Sequence, residues 1–199
     1  MTGRERFSRM AHALAEALQA RAVRHMLVGG LAVAVHGRPR FTKDIDLVVA
    51  LATSEVVPFL RELTARGFEL REEDLASRLL SPGQVGRAFF GGDPVEERLH
   101  VDLMMVLSGY EEQALSRAAT HTVLGVPWSV ASPEDLLLSK VVSGRPIDIA
   151  DAEAIVARNG TDLDVEYLRR WASDLAAALV RPELPARLDE TLRKGRGAP

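Results

Sequence analysis

The sequence predicts an α/β (α+β) fold: a small mixed sheet flanked by helices, followed by a helical C-terminal region. Three observations carry this reading. Short apolar runs, among them Met26-Leu27-Val28 and Leu47-Val48-Val49, alternate with helical patterns through the first 130 residues. The glycine pair Gly29-Gly30 ends the first run and permits a tight strand-to-helix turn. From Ser132 the pattern turns helical and stays so. The expected domains are a core over residues 1–130 and a helical C-terminal domain over 131–199.

Taken in order, residues 6–20 read as a helix, with Met10, Leu14 and Leu18 on one face. Met26-Leu27-Val28 is a strand, and Leu31 to His36 a helix. Residues 44–50 form a strand. A helix over 54–66 follows, capped by Thr53 or Ser54 and stopped by Gly67. Phe68-Glu69-Leu70 is a short strand. Residues 71–87 mix a helical pattern, EEDLASRLL, with a break at SPGQVG. Arg87 to Phe90 resembles a strand, GGDP turns, and Arg98 to Leu107 is a strand with Asp102 inside it. A helix over 110–119 precedes two short strands around a turn at Gly125-Val126-Pro127. Ser132 caps the next helix, with Pro133 first and acids in its first turn. Arg145-Pro146 breaks the chain. A helix from Asp148 stops at Gly160, one from Asp164 follows, and one from Pro182 precedes a frayed tail.

Composition narrows the chemistry. The 199 residues are 47% hydrophobic and 27% charged, as in a globular protein. With no cysteine, disulfides, thiolate metal sites and cysteine nucleophiles are excluded. His25, His100 and His121 lack metal-ligand spacing, which argues against zinc. No apolar run approaches the roughly 20 residues that span a bilayer. The charged, amphipathic N-terminus lacks a signal-peptide centre, so the cytoplasm is the expected location. The net charge of −3 leaves nucleic acid only a local basic patch to bind. Lys occurs only as Lys43, Lys140 and Lys194.

The informative stretch is Asp44-Ile45-Asp46. Side chains alternate along a strand, so both carboxylates face one way and Ile45 faces a core. Two like charges about 4 Å apart repel by about 4 kcal/mol at an effective dielectric of about 20. Such a pair needs a positive partner. Mg²⁺ is the obvious one, since one or two carboxylates plus substrate phosphates commonly hold it. Asp102, embedded in VDLMMV, is costly unless paired, hydrogen-bonded or on metal. If its strand lies beside residues 44–50, three carboxylates converge on a site for two divalent cations. The glycine turn adds backbone N–H groups at a helix terminus for phosphate oxygens.

These residues resemble the nucleotidyltransferase superfamily with the DNA polymerase beta fold. The likeness lies in Gly29-Gly30, a gap of thirteen residues, Asp44-Ile45-Asp46, the separate Val101-Asp102-Leu103, and the later Lys140, Arg145, Asp148 and Asp151. Within the superfamily the chain looks most like AbiEii-type toxins of toxin–antitoxin systems. Gly30 departs from the pattern, since many members have Ser there. The resemblance implies Mg²⁺- or Mn²⁺-dependent transfer of a nucleoside monophosphate from an NTP to a hydroxyl on RNA (a tRNA end), a protein or a small molecule. It implies Asp44, Asp46 and Asp102 as metal ligands and catalytic groups. Gly29, Gly30, Lys43, Lys140 and Arg145 would contact the nucleotide. An antitoxin protein is the implied partner.

Simpler readings stand beside these. Asp44 and Asp46 also fit a solvated strand end near Arg40 and Lys43. Asp102 also fits an ion pair with Arg98 or His100. Lys140, on an apolar helix, needs an anion: either the triphosphate or Asp148 or Glu134. Asp148 and Asp151 fit a helix N-terminus as well as a role orienting Lys140 or Arg145. Arg38, Arg40 and Lys43 form either a steering patch or an exposed loop. The competing function is a catalytically silent nucleotide- or protein-binding module of the same fold, antitoxin-like or regulatory.

Overall fold

The computed structural model describes residues 2–40, 42–81, 84–91 and 99–197, with the side chain of Asp74 excepted. Arg98, the break at Pro82-Gly83 and the Gly92-Asp93-Pro94 part of the expected turn lie outside these residues. The chain forms two compact units, one of residues 1–31 and 41–130 and one of 32–40 and 131–199. Residues 32–40, expected in the first domain, thus group with the second.

The first unit opens with α1 (Gly3–Ala20), begun by a capping box between Thr2 and Glu5. Then come β1 (Arg24–Val28) and the start of α2 (Gly29–His36), which runs on into the second unit. β2 (Asp44–Ala50), α3 (Thr53–Ala65), β3 (Phe68–Glu69), α4 (Glu72–Leu79), β4 (Gly86–Phe90), β5 (Leu99–Met105), α5 (Gly109–Arg117), β6 (Ala119–Val123) and β7 (Val126–Val130) follow. Helix α3 starts one residue earlier than expected. Its N-cap is Ala52, without a side-chain cap, rather than Thr53 or Ser54. The β6–β7 turn is Leu124-Gly125, both at positive φ, and Val126 and Pro127 already belong to the strand.

The strands form one seven-stranded sheet in the order β3-β4-β5-β2-β1-β7-β6. It is mixed: β2 pairs parallel with β5 and β1 with β7, and the other neighbours are antiparallel. The strand through Asp102 lies beside the strand of Asp44 and Asp46, although 48 residues lie between the end of β2 at Ala50 and the start of β5 at Leu99. One face of β2, β5 and β4 is apolar and buried: Ile45, Leu47, Val49, Val101, Leu103 and Ala88. Gly86 shares that face, and a Cβ there would lie 2.5 Å from Leu75 Cδ1 of α4. The missing side chain lets α4 close on the sheet. The alternation that buries this face turns Asp44, Asp46, His100, Asp102, Arg87 and Phe89 to the other.

The second unit contains α6 (Pro133–Ser143), α7 (Pro146–Asn159), a 3-10 turn at Gly160–Asp162, α8 (Val165–Ala178) and α9 (Leu184–Gly195). Ser132 caps α6 by accepting from the Asp135 N–H, as its sequence suggests. Leu136, Leu137, Val141, Ile155, Leu168 and Leu188 are fully buried. Gly144, left-handed at φ 68°, ends α6, and Pro146 starts α7 at once. That tight reversal folds the first turn of α7 back toward Lys140.

Candidate active site

The polar face of the sheet gathers the predicted carboxylates. In the parallel register of β2 and β5, Asp44 is opposite His100 and Asp46 is opposite Asp102. Adjacent strands lie about 4.8 Å apart, so Asp46 and Asp102 are immediate neighbours on one face. Each of the three carboxylates has found a partner within the chain. Thr42 Oγ1 donates to Asp44. Asp46 sits over Gly29, the first residue of α2, whose positive terminus favours a negative charge. Asp102 is gripped by Arg87, with Nε and Nη2 each donating to one carboxylate oxygen at 2.7 Å.

Arg87 is the residue that sequence reasoning missed. It pairs directly with Asp102 across the antiparallel β4–β5 ladder. Its side chain is half exposed, whereas that of Asp102 is 12% exposed. The hydrogen bonds to Asp102 raise the Arg87 pKa above its ordinary value. Partial burial opposes the rise, and the charges of Asp102, Asp44 and Asp46 add to it. The cation required by this cluster of negative charge is therefore already present in the chain. The expected alternative partner Arg98 lies outside the described residues, and His100 Nε2 stands 4.0 Å from Asp102.

Among the described residues, no group of three or more His, Asp or Glu side chains is arranged to hold a metal ion. The grip of Arg87 gives the reason for Asp102. Asp44 and Asp46 remain as an oxygen-only donor pair, the chemistry that suits Mg²⁺ or Mn²⁺ when substrate phosphates complete the shell.

Gly29 matters for a more specific reason than a tight turn. Its φ is +63°, and a Cβ there would lie 1.8 Å from Asp46 Oδ2. The absent side chain makes room for the carboxylate. Gly29→Ala is expected to cost about 1–3 kcal/mol in backbone strain and to push Asp46 off its position. A fall in thermal midpoint together with weaker Mn²⁺ binding checks this. A variant as stable as wild type would contradict it.

The second unit holds the other predicted set. Lys140 is 5% exposed, Asp148 1% and Asp151 6%. Lys140 Nζ donates to Asp148 Oδ1 at 2.7 Å and lies 3.1 Å from Asp151 Oδ2. Ser143 and Arg145 also donate to Asp148, and Arg40 Nε donates to Asp151 at 3.3 Å. Lys140 thus has its anions within its own unit. Of the two carboxylates weighed for it, Asp148 is the one it meets. Lys43 is exposed.

Burial pulls the Asp148 carboxyl up, but the donors Arg145, Lys140 and Ser143 outweigh it and hold the group at about 2. Because this lies below the ordinary 3.8, the network contributes fully above about pH 4 and is lost as pH falls through about 2. The loss is expected to be about 2 kcal/mol, read from urea melts across that range. In Asp148→Asn this acid-sensitive contribution should vanish.

A family model described as "Nucleotidyltransferase of unknown function (DUF6036)" matches residues 5–183. Among solved structures, the chain resembles an antigenic nucleotidyltransferase-like protein from Paracoccidioides brasiliensis. Identity is 19%, with 93% of each chain covered and a TM-score of 0.53. It also resembles the antibiotic-resistance factor ANT(2'')-Ia, at 18% identity over 88% of this chain and 96% of that one, with a TM-score of 0.55. These likenesses establish the fold. None of the curated proteins matches the sequence. No helix among the described residues is long and apolar enough to cross a membrane.

Proposed function

Since the chain belongs to a nucleotidyltransferase family of unknown function, we propose that it moves a nucleoside monophosphate from an NTP to a hydroxyl acceptor. The observation that carries this reading is the shared sheet face of Asp44, Asp46 and Asp102 beside the glycine-started helix. Asp44 and Asp46 would hold Mg²⁺ or Mn²⁺, which when bound polarises the phosphates and neutralises the charge that builds on them. The Gly29-Gly30 backbone and exposed Lys43 would orient the triphosphate. The acceptor oxygen forms a bond to the α-phosphorus. The bond from that phosphorus to the bridging oxygen of the β-phosphate breaks, and pyrophosphate leaves with that oxygen. Asp102, once released by Arg87, takes the acceptor proton. Lys140 and Arg145 hold the second unit together rather than binding substrate.

A role as the toxin of a toxin–antitoxin pair, with an antitoxin partner and a cytoplasmic location, draws its support from the sequence motif alone. The acceptor class is tested by incubating the protein with α-phosphate-labelled NTPs and Mg²⁺ or Mn²⁺. Total RNA, total protein and small hydroxyl compounds are supplied in separate reactions. Label is expected on one class. One observation favours a second reading, the silent binding module: Arg87 already occupies the carboxylate that the chemistry needs free. Under that reading, no acceptor is labelled with either ion.

A further inference from the structure

The two edges of the sheet are built differently. At one edge β3 is two residues long and carries the exposed Glu69, which blunts it against further pairing. At the other edge β6 is five residues long, Ala-Thr-His-Thr-Val, with no Lys, Pro or carboxylate. Its register with β7 runs unbroken from Ala119↔Val130 to Val123↔Val126, so no bulge twists it away. Among the described residues β7 is its one ladder partner. Ala119, Thr120 and Thr122 are exposed.

The register fixes which backbone groups of β6 face outward. Thr122 is opposite Pro127, which has no N–H, so this pair does not exchange hydrogen bonds. Alternation then makes Val123↔Val126 and His121↔Trp128 the bonded pairs and Thr120↔Ser129 a second unbonded one. Leu124 and Gly125 agree: both have positive φ, and a two-residue turn of that kind closes on Val123 and Val126. The N–H and C=O of Thr120 and Thr122 therefore point away from β7, at the free edge. We propose that β6 is a homodimer interface, where a second copy of this chain adds its own β6 antiparallel with the two-fold axis at His121. Thr120 then faces Thr122 of the partner subunit, and Thr122 faces Thr120 of the partner subunit. Each pair exchanges two backbone hydrogen bonds and doubles the sheet. The edge is its own complement. Its outward groups match under the two-fold, no like charges meet, and Thr–Thr is a favourable cross-strand pair. This inference stands apart from the transfer reading.

The test is the mass of the full chain in solution. Light scattering is expected to show a reversible monomer–dimer equilibrium between about 1 and 100 µM, as suits a small interface. T120K/T122K sets Lys opposite Lys at both pairs and is expected to raise the dissociation constant about tenfold or more. T120K/T122E sets Lys opposite Glu twice and is expected to dimerise at least as well as wild type. Both positions are exposed, so both variants should fold, and thermal melts confirm it. The chain has no cysteine, so single substitutions report the register directly. H121C is expected to cross-link to its own copy under mild oxidation, because residues paired across the two-fold fall within the about 4.4–6.8 Å between Cα atoms that a disulfide spans. T120C stands about 8 Å from its own copy and is expected to stay uncross-linked. A monomer at every concentration, equal dissociation constants for the two double variants, or no cross-link in H121C overturns the proposal.

Discussion

Asp46→Asn is expected to lower nucleotidyl transfer by about a thousandfold while leaving the fold intact. Asn keeps the shape of Asp, so the close fit over Gly29 survives. What changes is the charge. Asp46 is the carboxylate between two others, opposite Asp102 on β5 and two residues from Asp44 on the same face of β2. It is therefore central to any cation bound there. Its removal also relieves repulsion within the face, so stability should stay level or rise by a fraction of the about 4 kcal/mol of a bare pair at short range. Transfer kinetics and thermal melts on one preparation read both effects. A variant that loses activity because it unfolds would make Asp46 a structural group and remove it from catalysis.

Lys140→Met is expected to do the opposite: a large loss of stability. The substitution keeps the aliphatic stem and deletes the ammonium between Asp148 and Asp151, both of them buried. Stranding buried charge in this way costs about 3–5 kcal/mol. Arg145 and Arg40 remain to offset part of it, one on each carboxylate. K140M/D148N/D151N should recover most of the loss, because a buried ion cluster replaced as a whole is often near neutral. Urea melts of the single and triple variants check this. If Lys140 served the triphosphate instead, K140M would keep its stability and show a raised KM for NTP.

The two halves of this argument differ in how far the sequence reveals them. Asp44 and Asp46 are two residues apart on a strand, and the period of two alone sets them on one face. Asp102 stands out because a charge in an apolar run must have a partner. Arg87 is another matter. Its pairing with Asp102 depends on the β4–β5 register, and fifteen residues separate the two. The signal was a lone cation in a strand of apolar neighbours, the mirror of the reasoning applied to Asp102. Lys140 was legible as a cation in need of an anion. Its partner was settled by the left-handed Gly144 and by Pro146, which fold α7 back so that Asp148 and Asp151 reach it. The cap of α3 shows the limit of local rules: Thr53 is a good capping residue, yet the helix takes it as its first turn and starts from Ala52.

The most direct measurement is Mn²⁺ binding, followed by electron paramagnetic resonance, with an ATP analogue whose α- and β-phosphorus are joined through carbon. The analogue cannot turn over, so the signal reports the carboxylate face and not the reaction. The expected result is tight Mn²⁺–analogue binding by wild type and its loss in D44N/D46N, with both proteins equally folded. Equal binding by the two proteins would contradict the assignment of Asp44 and Asp46 as the metal-holding pair.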